Sequence, residues 1–301
     1  MLFRSYGYIK RLPLNTYKQQ HRGGKGVIAT KTKEKDFVED IFITSTHSYL
    51  LFFTNKGNVQ WLKAYKVPEE SRIAKGKAIV NLLNVKDEKI TAVIPVREFK
   101  KGYYLLMATK KGIIKKTDLA AYSRPRANGI RAINLDSNDE LINAALTDGT
   151  KNILLATRNG MAVKFSEKDA RPIGRTSRGV RGIRLKAGDY VIGMIIADDN
   201  KALLTITENG YGKRTLIDNY RLINRGGHGV INIQCSERNG KVVSINSVNG
   251  NDELILISRR GIVIRMLANG ISLIGRNTQG VRLMRLSNDD NVVSAAKIIN
   301  D

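Results

Sequence analysis

Apolar residues fall in short paired runs along the chain, each pair folded about a glycine. Leu50, Leu51, Phe52 and Phe53 form a continuous apolar run, Asn55-Lys56-Gly57 supplies a turn, and Asn58-Val59-Gln60-Trp61-Leu62 alternates polar with apolar. A period of two marks a strand with one buried face, and glycine takes the left-handed conformation that a tight hairpin turn needs. The same text returns at 104–117, 153–166, 203–215 and 254–266, with turns reading Lys-Lys-Gly, Arg-Asn-Gly, Glu-Asn-Gly and Arg-Arg-Gly. Each of these predicts a β-hairpin.

The hairpin glycines are Gly7, Gly57, Gly112, Gly160, Gly210 and Gly261, spaced by 50, 55, 48, 50 and 51 residues. A second series, Gly26, Gly76, Gly129, Gly179, Gly229 and Gly280, trails the first by 19 residues in five repeats and 17 in the third. Apolar stretches follow the trailing glycines, as in Val27-Ile28-Ala29, Ile130-Arg131-Ala132-Ile133, Val180-Arg181-Gly182-Ile183 and Val230-Ile231-Asn232-Ile233. Further strands are expected near 90–96, 191–197 and 242–248. Each repeat therefore holds about four strands and no convincing amphipathic helix. Periods near 50 residues belong to toroids or solenoids of supersecondary units, and four-stranded units about an axis are propeller blades. The expectation is one all-β, propeller-like domain over 1–301, built of six repeats.

The first repeat opens at Leu2-Phe3-Arg4, inside the hairpin's first strand, and the last ends at Val292-Val293-Ser294, aligned with Val242-Val243-Ser244. From this we expect the C-terminal strand to complete the blade that the N-terminus begins, closing the ring by pairing of the terminal segments. A start in mid-strand also suggests a fragment of a longer polypeptide.

Charge narrows the function. Lys and Arg number 51 against 27 Asp and Glu, a formal net charge of +24, which implies a polyanionic partner. The basic residues recur at repeat positions. Four residues after the hairpin glycines stand Arg11, Trp61, Lys116, Lys164, Arg214 and Arg265. Around the trailing glycines stand Arg22 and Lys25; Lys75 and Lys77; Arg124, Arg126 and Arg131; Arg175, Arg178 and Arg181; Arg221 and Arg225; and Arg276 and Arg282. Stacked repeats turn shared positions into a continuous positive track, which reads phosphate and not bases. Duplex DNA following the rim is the expected ligand, because an aromatic content of 6% offers few stacking platforms for single strands.

No chemistry of another kind is evident. His21, His47, His228 and the single Cys235 lack metal-ligand spacing, and Gly212-Lys213 lacks the upstream glycine of a nucleotide-binding loop. Carboxylate pairs such as Glu69-Glu70, Asp198-Asp199 and Asp289-Asp290 fall in turn-rich stretches. No catalytic residue, metal or cofactor is expected in this chain. No apolar run approaches a membrane span, and one cysteine fits a reducing cytoplasm.

One repeat carries a glycine-rich box, Gln20-His21-Arg22-Gly23-Gly24-Lys25-Gly26. Its glycines allow close approach of backbone N–H groups to a phosphate, and Arg22 and Lys25 add charge. The heptad resembles the box of the DNA gyrase A C-terminal domain: Gln, basic, Arg, Gly, Gly, basic, Gly. Six of seven positions agree, and His21 stands where that family usually has Arg or Lys. The likeness spans the chain, including Gly-Tyr-Ile-Lys-Arg at 7–11 and Arg178-Gly179-Val180-Arg181-Gly182-Ile183. A partial echo of the box stands at Arg225-Gly226-Gly227-His228-Gly229, a candidate secondary DNA contact.

The resemblance implies a six-bladed β-pinwheel that wraps duplex DNA around its basic rim with a defined hand, supporting negative supercoiling. It further implies a monomeric, non-catalytic domain that works with the remainder of gyrase A and with gyrase B in an A2B2 holoenzyme. ATP and Mg would act elsewhere in that assembly, and box residues 20–26 would be required for wrapping. The alternatives are the related topoisomerase IV domain, which binds or bends DNA without a strong wrap, and a propeller scaffold for protein interaction. The intact box argues against the first, and the net charge against the second.

Overall fold

The computed structural model describes residues 1–4, 7–12, 38–41, 44–71, 74–85, 87–287 and 289–298. The expected hairpins form. Tyr49–Thr54 pairs with Asn58–Lys63, Tyr104–Thr109 with Ile113–Asp118, Asn152–Thr157 with Met161–Ser166, Ala202–Thr207 with Tyr211–Leu216, and Glu253–Ser258 with Val263–Leu267. All the sheets formed around them are antiparallel ladders. A third, seven-residue strand adds to the first strand of each hairpin: Ile90–Val96, Leu141–Thr147, Val191–Ala197, Val242–Val248 and Val292–Ile298. The described residues complete five four-stranded blades, not the expected six; a further sheet has three strands.

The fourth strand corrects the expectation of self-contained repeats. Ile130–Arg131, which follows the trailing glycine of the third repeat, pairs with Asn58–Lys63 of the second. Lys77–Ala78, Val180–Arg181, Val230–Ile231 and Val281–Arg282 likewise cross to the preceding blade. The two glycine series recur together because each meets the other repeat's backbone. The carbonyl of Gly57 accepts hydrogen bonds from the N–H groups of Ala132 and Ile133 at 2.8 and 3.1 Å. A Cβ on Gly57 (φ +76°) would stand 2.7 Å from the Ile133 carbonyl oxygen, and one on Gly129 (φ +69°) 2.8 Å from that of Val59. Neither position has room for a side chain.

The seven-residue strands of successive blades lie against one another, and Val292–Ile298 lies against Val38–Ile41 of the first sheet. They form the inner side of the array. The two-residue crossing strands are therefore the outer edge. Contrary to expectation, the C-terminal strand does not complete the N-terminal blade. It pairs with Glu253–Ser258 of its own repeat, Leu256 opposite Ala295.

Core packing explains the continuous apolar runs. Leu51 and Phe53 pack into the cluster shared with the third blade, while Leu50 and Phe52 pack into the one shared with the first. In the next blade Leu105 and Met107 face back and Leu106 and Ala108 face forward. Strands buried on both faces need apolar residues at consecutive positions, and burial of that apolar surface between blades stabilises the array.

Candidate nucleic-acid interface

The basic residues divide by their place in the blade. Those four residues after a hairpin glycine lie on or directly after the second hairpin strand, and all but Arg265 reach the short 3₁₀ turn of the next repeat or the residue that ends it. Arg11 donates from Nε to the Val67 carbonyl at 3.2 Å and pairs with Glu69 at 2.9 Å. Lys116 Nζ donates to the Glu167 carbonyl at 2.9 Å and faces its carboxylate at 3.6 Å. Lys164 donates to Asp199 at 2.8 Å and the Ile217 carbonyl at 3.1 Å, and Arg214 Nε to the Ile271 carbonyl at 2.9 Å. Trp61 fills the same role from its indole N–H, on the Tyr122 carbonyl at 3.0 Å. Lys116 and Lys164 are only 4% exposed. These positions staple one repeat to the next; burial takes Lys116 and Lys164 out of the expected positive track, while Arg11 and Arg214 stay half-buried. Arg265 differs: it is exposed and paired with Glu253 of its own repeat.

The trailing loops behave otherwise. Lys75, Lys77, Arg124, Arg126, Arg131, Arg178, Arg181, Arg221 and Arg282 are exposed at or beside the outer edge strands, and Arg175, Arg225 and Arg276 are half-buried. Several are oriented by neighbours. Arg131 donates to the Lys56 carbonyl at 2.8 Å, Arg178 pairs with Asp136, and Lys75 lies over the Tyr8 ring at 3.9 Å. Arg282 donates to the Tyr211 hydroxyl at 2.8 Å, and Arg238 does so at 3.4 Å. These two donors draw the Tyr211 phenol below its ordinary pKa, Arg238 first. Arg238 was not among the sequence candidates, because it lies outside the shared repeat positions.

The echo of the box is a joint between repeats. Arg225 donates from Nε to the Asp169 carbonyl at 2.8 Å and from Nη1 to the Arg181 carbonyl at 3.1 Å. The Gly226 N–H donates to the Gly182 carbonyl at 2.7 Å, and the Arg184 N–H to the Gly227 carbonyl at 2.8 Å. The box itself, residues 20–26, lies outside the described residues.

Among the described residues, three buried lysines, Lys10, Lys115 and Lys213, are absent from the sequence candidates. Lys115 and Lys213 are fully buried, and burial, helped by the guanidinium of Arg175 or Arg276, lowers each to about 7. A signal was present: Lys115-Lys116 and Lys213-Arg214 are adjacent in a strand, so the two side chains of each pair had to face opposite ways.

Fold and charge together define a propeller-like β-domain with a cationic outer edge. The family model described as DNA gyrase C-terminal domain, beta-propeller, matches residues 7–45, 48–97, 103–148, 151–198, 201–249 and 252–298, and the chain belongs to that family. It is 50% identical to the DNA gyrase A protein of Clostridium acetobutylicum over 98% of its own length and 36% of that protein's. It is 52% identical to the corresponding protein of Halalkalibacterium halodurans, over 97% of itself and 35% of that relative. The chain thus spans about a third of the curated relatives it matches. Among solved structures, a topoisomerase IV C-terminal domain aligns with a TM-score of 0.85 at 25% identity, covering 99% of this chain and 92% of that one. A DNA gyrase A C-terminal domain aligns with a TM-score of 0.78 at 28% identity, covering 99% and 98%.

Proposed function

We propose that the chain binds duplex DNA without sequence preference along its outer edge and wraps it chirally, as the DNA-handling domain of a gyrase A protein. The observation that carries this reading is the recurrence of exposed basic side chains on the outer loops of successive repeats, as at Arg126, Arg178, Arg221 and Arg282. Neutralising phosphates at repeat after repeat curves the duplex along the edge, and the contacts offset a bending cost of roughly 1–6 kcal/mol per 20–30 bp. Box residues Gln20, His21, Arg22, Gly23, Gly24, Lys25 and Gly26 fix the wrap. In this reading the chain is non-catalytic and needs no cofactor. It works in the cytoplasm with the rest of gyrase A and with gyrase B, where ATP and Mg support strand passage toward negative supercoils. Among the described residues no helix is long and apolar enough to cross a membrane.

The same reading closes the array at six blades. Val27 and Ile28 follow Gly26 as Ile130 and Arg131 follow Gly129, and the last sheet presents Val263–Leu267 as an edge with Val263 and Leu267 about half exposed.

A second reading, a topoisomerase IV-type domain that binds without strong wrapping, is favoured by the 0.85 TM-score to that domain. Salt dependence tests the part common to both. With about ten phosphate contacts, log K should fall with log salt at a slope near −9. A flat response would leave neither reading standing.

A further inference from the structure

Three lysines with no phosphate contact in this reading occupy one repeat position. Lys10, Lys115 and Lys213 stand three residues after the hairpin glycines of the first, third and fifth repeats, each at most 1% exposed. Each reaches the trailing loop of the following repeat. Lys10 Nζ donates to the carbonyls of Ser71 at 3.3 Å and Ala74 at 2.9 Å. Lys115 donates to the carbonyls of Ala132 at 2.7 Å and of Arg175, and Lys213 to those of Gly275 and Arg276, both at 2.6 Å. A lysine nitrogen, charged or neutral, carries at least two N–H donors, so carbonyls converging on it are fixed from the inside.

The second, fourth and sixth repeats carry Gln60, Val163 and Ile264 at this position. Gln60 bonds to the backbone of Asn84 in its own repeat, and the other two side chains have nothing to donate. Lysine-backed loops therefore alternate with loops that have no lysine behind them.

The alternation shows in the loop arginines. Without a lysine behind it, Arg225 holds its own loop through two carbonyl bonds. Behind the Arg276 loop stands Lys213, and the Arg276 guanidinium makes one hydrogen bond, to the Ile231 carbonyl at 3.0 Å, and lies over the Tyr220 ring at 5.9 Å. Behind the Arg175 loop stands Lys115, and the Arg175 guanidinium makes no hydrogen bond or ion pair among the described residues. We propose that Lys10, Lys115 and Lys213 are positioning residues that preset the trailing loops of alternate repeats, releasing their basic side chains toward a phosphodiester backbone. The proposal rests on the DNA reading above.

A lysine buried beneath the loop cannot touch phosphate, so a change in salt slope on its removal reports the loop. Duplex affinity of this chain would be measured by fluorescence anisotropy across salt concentrations for the parent, K115M, R175A and the double variant, with melting curves as a check of folding. The expected result is a slope shallower by about 0.9 for K115M, the value of one phosphate contact. R175A should match it, and the double variant should lose no more. A folded K115M with the parent's slope, or losses that add in the double variant, would overturn the proposal. K213M with R276A gives an independent cycle should K115M fail to fold. A parent whose affinity ignores salt would sink the DNA reading itself, an outcome distinct from unaltered slopes in the variants alone.

Discussion

Successive side chains of a strand face opposite ways, so the neighbours Lys115 and Lys116 meet different surroundings. Lys116 closes a buried pair with Glu167, whose carboxylate also accepts from the Thr147 hydroxyl at 2.8 Å and the Lys151 N–H at 2.7 Å. K116M would strand that carboxylate, at a cost of about 3–5 kcal/mol. Urea unfolding should show this loss with duplex affinity nearly unchanged; lost affinity at full stability would return Lys116 to the phosphate track. Lys115 and Lys213 make stability depend on pH. Their folded values near 7 lie below the usual 10.5. Between about pH 7 and 10 the unfolded chain therefore binds protons that the folded chain does not, and stability rises with pH. Above that, Tyr122 and Tyr220, held protonated by burial, reverse the trend. Melting temperature should climb from pH 7 to 10 in the parent and climb less in K213M; equal slopes would contradict the assignment. At this scale the basic repeat positions were legible in the sequence. Their division into staples and exposed loops was not, because it depends on which face of the strand meets the next repeat.

Hairpins were the most legible elements. The run of Leu50, Leu51, Phe52 and Phe53 reads as a strand because both its faces are buried between blades, and Gly57 marks the turn through its φ of +76°. The crossing strands were legible only as apolar stretches. Val180–Arg181 is two residues long, too short for a period, and its partner Ile113–Asp118 lies in another repeat. Only tertiary packing shows the exchange. This exchange makes the last sheet a test of the six-blade ring. If a crossing strand completes it, the outward-facing amides of Val263–Leu267 and those of the paired Tyr211–Leu216 should resist hydrogen exchange alike. Rapid exchange along that edge alone would mean that the array stays open there.

At the scale of the whole chain, +24 charges on 301 residues repel one another, and the outer loops give that repulsion a polyanion to relieve it. The echo at 225–229 shows how a loop of this type joins two repeats, with Arg225 spent on carbonyls. If the box sets the wrap as proposed, Arg22 and Lys25 matter more to the path of the DNA than to its affinity. The deciding measurement is therefore topological. Nicked circular plasmid is incubated with increasing amounts of the chain, sealed with ligase and stripped of protein, and its linking number is read on chloroquine gels. Chiral wrapping predicts a dose-dependent positive shift that R22A/K25A abolishes while retaining most binding. Gel retardation without any shift in the parent would contradict chiral wrapping and leave a domain that holds or bends DNA.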